Sequence, residues 1–90
     1  MKIVKYSSQF KKDIKKYRNQ PNKLDKLAEI LALLQKGQSI PLKYRPHKLI
    51  GDYKGCMECH VEGDFLLIWF DEDSDTILAM RVGSHSELFE

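Results

Sequence analysis

The sequence predicts an α+β fold in the order β-α-α-β-β-β, with a helical hairpin packed on one face of a small, mainly antiparallel sheet. Three observations predict it. Apolar residues recur at helical spacing between residues 8 and 34, three later runs are strand-like, and only short turn-forming segments join those runs. A length of 90 residues, 42% hydrophobic and 31% charged, describes one folded domain, residues 1–90, and no disordered tail.

Residues 2–6 (KIVKY) alternate and are β-prone, so they open the chain as a strand. Ser7 or Ser8 supplies an oxygen to cap the helix that follows. Phe10, Ile14 and Tyr17 form its inner face; Lys11, Lys12, Lys15 and Lys16 form its outer face. Asn19-Gln20-Pro21-Asn22 breaks the helix, and Pro21 suits the first turn of the next. Leu24, Leu27, Ala28, Leu31 and Leu34 form the stripe of that second helix, widened by Ile30 and Leu33, and Gly37 ends it. Residues 38–52, with Pro41, Pro46 and Gly51, form a loop.

Strands then cover residues 53–60, 64–70 and 76–82, turning at Gly63 and at 71–75. Such short links make antiparallel hairpins. Side chains alternate along a strand. Tyr53, Gly55, Met57 and Cys59 therefore share the core face, and Lys54, Cys56, Glu58 and His60 share the other. On the last strand, Leu78, Met80 and Val82 are expected to face the helices, and Ile77, Ala79 and Arg81 to face away.

The net charge of +2 hides an asymmetry. Residues 1–26 carry nine Lys/Arg against two Asp; residues 61–90 carry Arg81 alone against eight Asp/Glu. A basic front half can attract a polyanion while the acidic half leans on it or lies elsewhere. The longest strongly apolar run, residues 65–70, is far short of the ~20 residues a membrane helix needs. The N-terminus has no apolar h-region, so the expected location is the cytoplasm, with no membrane partner.

Residues 56–60, CMECH, match the attachment pattern of c-type haem, and Met80 could be an axial ligand. Strand alternation argues against it. Cys56 and Cys59 fall on opposite faces, ~10 Å apart along a strand, whereas haem needs both sulfurs on one side. That distance also rules out a disulfide. The expectation is one core and one surface thiol in a reduced protein, with no haem and no cofactor.

The hairpins bring His60, Asp64, Arg81 and His85 to one end of the sheet, and His47 can fold back from the preceding loop. Three imidazoles, a carboxylate and a guanidinium suit metal-independent cleavage of RNA. The 2′-hydroxyl needs a base, the 5′-oxygen an acid, and the pentacovalent phosphate cationic donors. Each residue also has a plainer reading: Asp64 as a turn residue, Arg81 as a partner of Glu58, the lysines as a solvated face. His47, His60, Asp64 and His85 could also form a zinc site, although their spacing fits no common zinc motif.

The segments HKLIGDYKGCMECHVEGDFLLIWF and RVGSHSELF carry a resemblance. A His-x-Leu-x-Gly loop, a strand ending His-Val-x-x-Asp, and a closing Arg-x-Gly-Ser-His-x-x-Leu-Phe resemble the YafQ-like branch of the RelE-type bacterial toxins. The match is close over residues 44–89; the N-terminal half matches in pattern and basic character. The resemblance implies a RelE/ParE-like fold with a twisted sheet. It implies a type II toxin–antitoxin toxin that cleaves mRNA in the ribosomal A site and is neutralised by a cognate antitoxin. It implies His47, His60, Asp64 and His85 as the catalytic set, Arg81 as the phosphate-stabilising cation and Phe89 as the substrate-positioning aromatic. By the same resemblance His85 is the acid, Asp64 or His47 the base, and His60 an orienting or charge-stabilising group. Phe65 stands where the branch often has a larger aromatic. Lys11, Lys12, Lys15, Lys16 and Lys54 are then contacts to ribosomal RNA phosphates. The alternative is a non-catalytic toxin of the same fold that binds gyrase or RNA.

Overall fold

The computed structural model describes residues 1–89. Its elements are β1 (Ile3–Tyr6), α1 (Ser8–Lys16), α2 (Pro21–Gln35), β2 (His47–Lys48), β3 (Met57–Glu62), β4 (Phe65–Asp73), β5 (Thr76–Gly83) and α3 (His85–Leu88). The five strands lie in the order β1-β5-β4-β3-β2; β1 runs parallel to β5 and the other pairs are antiparallel. The α+β architecture is the expected one. Two small elements are additional: the two-residue β2 inside the expected loop, and α3.

The helices form for the reasons their sequences give. The Ser7 hydroxyl accepts from the Phe10 N–H and donates to the Met80 carbonyl, so the cap of α1 is also a tie to β5. Pro21 starts α2. Gly37, at φ +73°, closes it in a Schellman motif: Gly37 N–H donates to Leu34 O and Gln38 N–H to Leu33 O. Phe10, Tyr17, Leu27, Ile30 and Leu34 bury against Cys59, Phe65, Leu67, Trp69, Ile77, Ala79 and Val82. Fully burying one such large side chain stabilises by about 1.5–3 kcal/mol.

Alternation along β5 departs from expectation. Trp69 pairs with Ala79 and Ile68 with Arg81, leaving Met80 as an extra residue. This bulge resets the period of two. Ile77 and Ala79 therefore face the helices, Met80 turns to the opposite face, and Val82 keeps the helix side.

That opposite face is not bare. Cys56, Leu66, Ile68 and Leu88 form a second small cluster, with Leu49, Tyr53, Met80 and Phe89 packed on it. The two cysteines do face opposite ways, but Cys56 is buried, not exposed, because the loop before β3 and α3 roof it over. Burial, with the Glu58 charge second, pushes the Cys59 thiol up to about 12, and burial raises Cys56 too. Neither is a nucleophilic thiolate near neutral pH. The strand expected from Tyr53 starts only at Met57, since Gly51–Tyr53 is a 3-10 turn.

Candidate functional site

Two cross-strand rows set the site. His47, Glu58, Ile68 and Arg81 are successive partners across β2, β3, β4 and β5. His60, Leu66 and Gly83 form the next row. Neighbouring strands lie about 4.8 Å apart, so His60 and Gly83 are ~10 Å apart. His60 shares the face of Leu66, the side away from α1 and α2.

The rim beyond these rows is built from two turns. Gly63, at φ +51°, reverses the chain between β3 and β4, and the His60 Nδ1 points to the Gly63 carbonyl at 3.4 Å. Asp64 Oδ1 accepts from the backbone N–H of His85 at 3.0 Å, tying this turn to the start of α3. Ser84 and Glu87 form a reciprocal capping box there. The Tyr17 phenol donates to Glu87, anchoring α3 to the helical layer. Burial, then the hydrogen bond to Glu87, pushes Tyr17 up to about 12. The Ser84 N–H, then Tyr17, hold the Glu87 carboxyl below its ordinary range. The His85 ring lies 4.9 Å from Phe89, which meets Tyr53 edge-on at 5.5 Å.

His47 arrives on the short β2, and its ring is 6.3 Å from that of His60. Its Nδ1 lies 2.7 Å from the Arg45 carbonyl and its Nε2 3.0 Å from Glu58 Oε1. Both ring nitrogens thus face acceptors, a geometry that needs either an imidazolium or a protonated Glu58. Glu58 is buried, and its Oε2 has no hydrogen-bond partner among the described residues.

Arg81 is not paired with Glu58, as one plain reading had it. Its Nε donates to Asp13 Oδ2 at 2.8 Å, its Nη2 to Asp13 Oδ1 at 3.3 Å, and its Nη1 to the Tyr53 hydroxyl at 3.3 Å. Asp13, on α1, is 1% exposed and also accepts from Val82 N–H and Gln9. Burial alone would raise the Asp13 carboxyl; the Arg81, Gln9 and Val82 donors outweigh it and the carboxyl falls below its ordinary range.

The structure thus gathers His60, Asp64 and His85 at one rim, with His47 beside His60, Phe89 against His85, and Arg81 one row inward. Lys11, Lys12, Lys15 and Lys16 are exposed on α1, which covers the other face of the sheet; Lys54 is exposed after the 3-10 turn. Among the described residues no group of three His, Cys, Asp or Glu side chains is placed to hold a metal ion. Sequence reasoning missed Asp13 and Tyr53 as the partners of Arg81, and Glu58 as the partner of His47. Asp13 had a signal: it follows Phe10 by three residues, on the inner side of the helix.

Comparisons with known proteins converge on one group. A family model described as "Bacterial toxin of type II toxin-antitoxin system, YafQ" matches residues 2–90. A curated relative named "mRNA interferase toxin YafQ", from Escherichia coli K12, is 34% identical over 88 residues, covering 96% of this chain and 94% of that protein. The crystal structure of YafQ from E. coli BL21(DE3) superposes with a TM-score of 0.90 at 30% identity, covering both chains completely. An E. coli DinJ–YafQ complex matches with a TM-score of 0.86 at 31% identity, again over both full chains.

Proposed function

The chain belongs to the YafQ family of bacterial toxins of type II toxin–antitoxin systems, and from that premise we propose that it cleaves mRNA on the ribosome by metal-independent acid–base chemistry. The observation that carries the reading is the rim where Asp64 is hydrogen-bonded to the His85 backbone and His60 stands across the sheet. A second protein, a cognate antitoxin, holds the activity in check by covering this face; the DinJ–YafQ pairing of the relative supports that part.

The geometry supports a division of roles. Asp64 keeps its second carboxylate oxygen for the 2′-hydroxyl proton. The freed 2′-oxygen attacks the adjacent phosphorus, and the bond to the 5′-oxygen breaks, leaving a 2′,3′-cyclic phosphate. His85, exposed at the start of α3, hands its proton to the departing 5′-oxygen. His47 is a poor base in this position, because neither ring nitrogen presents a lone pair to solvent. Held by Arg45 and Glu58, His47 acts instead by positioning its neighbour His60, the charge-stabilising donor. The Arg81 guanidinium, clamped by Asp13, faces the phosphate with its remaining N–H groups. Phe89 offers a ring for a flanking base.

Induced expression followed by primer extension tests this. Parent protein should cut messages at defined codons and stop growth; a folded His85→Ala protein should do neither. Equal toxicity of the two would remove His85 from the chemistry, and intact message with damaged DNA would favour a gyrase-directed toxin.

A further inference from the structure

A cleft of about 520 Å³ opens on the far side of His60 from Arg81, between α2 and the segment leading into β2. Its walls include Lys26, Lys43, Tyr44, Arg45 and His60. We propose that this cleft binds a ribonucleotide flanking the cut, with the Tyr44 ring stacking its base and Arg45 and Lys43 holding its phosphate. The inference rests on the endoribonuclease reading and extends it to a subsite.

Four observations converge on it. The volume is of the size that holds a small ligand. The charge is available: Lys26 is paired with Glu62 at 3.0 Å and Glu29 lies in the same wall, but Lys43 and Arg45 have no carboxylate within ion-pair distance among the described residues. The Lys43 ammonium sits over the half-buried Tyr44 ring at 5.1 Å, which puts a mobile cation and an aromatic side by side in the cleft wall. Finally, Arg45 is the one non-glycine residue at positive φ, +53°, among those described. Strained backbone of this kind marks positions that the surrounding structure holds in place. Here the hold is the contact between the Arg45 carbonyl and His47 Nδ1, which couples the cleft to the histidines.

The arrangement mirrors the opposite side of the rim. There Arg81 lines a second cleft with Tyr53 and Phe89, again an arginine beside aromatic rings. A strand crossing from one cleft to the other passes His60, Asp64 and His85. Continuity with His60 favours the message strand as the source of the nucleotide over ribosomal RNA.

The test uses Arg45→Asn, since Asn tolerates the left-handed conformation and removes only the cation, and Tyr44→Leu, which keeps apolar bulk. Binding is measured against a short 2′-O-methyl RNA, which lacks the attacking hydroxyl, and against ribosomes without message. Each substitution should weaken binding of the free strand about tenfold. Arg45→Asn should also lower the slope of log K against log[salt] by about 0.7 for one lost phosphate contact. An effect confined to message-free ribosomes would overturn the message-strand assignment in favour of ribosomal RNA. Unchanged affinity and slope for a folded Arg45→Asn protein in both arms would overturn the subsite, as would a parent that binds neither. These outcomes need no cleavage, so they stand apart from a failure of the endoribonuclease reading, which a toxic His85→Ala protein would reveal.

Discussion

The two faces of the one sheet are built for different ends. On the helix side, Cys59, Leu67, Trp69, Ile77 and Val82 meet Phe10, Leu27 and Ile30 in a continuous apolar cluster. On the other side the buried apolar cluster, among the described residues, is just Cys56, Leu66, Ile68 and Leu88, under half-exposed Tyr53, Met80 and Phe89. The first face holds the fold together. The second gives up burial so that histidines, Asp64 and Arg81 can reach solvent at its edge. Its roof, a loop with two 3-10 turns and the four-residue α3, is also what carries His47, His85 and Phe89. A residue on this face therefore serves packing and positioning together.

The contrast can be broken by substitution. Ile30→Ala, at a fully buried position on the helix side, should cost about 2–5 kcal/mol in a denaturant melt, with cleavage per folded molecule unchanged. Leu88→Ala should cost less, about 2 kcal/mol, because half-exposed Tyr53, Met80 and Phe89 beside it can close in. It should nonetheless cut cleavage more, since Leu88 anchors the element bearing His85. A cost at Leu88 equal to that at Ile30, or unimpaired cleavage, would erase the distinction.

Asp13 links the two faces, and its pH signature sharpens the comparison. Its folded carboxyl titrates below the unfolded one, as does that of Glu87. Their stabilisation is complete above the unfolded values near 4 and fades as pH falls through the folded ones. Thermal melts should show lower stability at pH 3 than at pH 6, and Asp13→Asn should flatten that dependence. At the alkaline end, Tyr17 contributes stability that is lost between pH 10 and about 12, as the phenol gives up the proton it donates to Glu87. The smallest expected effect lies on the lysine face. Replacing Lys12 and Lys16 by Ala should change stability by no more than about 0.5 kcal/mol, while weakening ribosome binding at low salt.

The legibility of the sequence follows the same division. Periods of 3.6 and 2 disclosed α1, α2 and the three long strands, because those residues bury against one continuous surface. The bulge at Met80 was not legible; one extra residue reverses the faces of Ile77 and Ala79 and leaves no mark in composition. The second cluster was hidden for a related reason: its roof comes from irregular segments with no period to detect. Asp64 and His85 could be placed together from hairpin connectivity alone. The Asp13–Arg81 and His47–Glu58 pairs could not, since 68 residues separate the first pair and the second depends on a two-residue strand.

The central claim, that the rim of His60, Asp64 and His85 performs acid–base cleavage, is tested most directly by single-turnover cleavage of mRNA on programmed ribosomes across pH. The parent rate should be bell-shaped, as a general base and a general acid acting in one step require. Asp64→Asn should abolish the acid limb, and His85→Ala the alkaline limb, each with a loss of about 10²–10⁴ in rate. A parent rate flat from pH 5 to 9, or a His85→Ala rate within a few-fold of the parent, would contradict it.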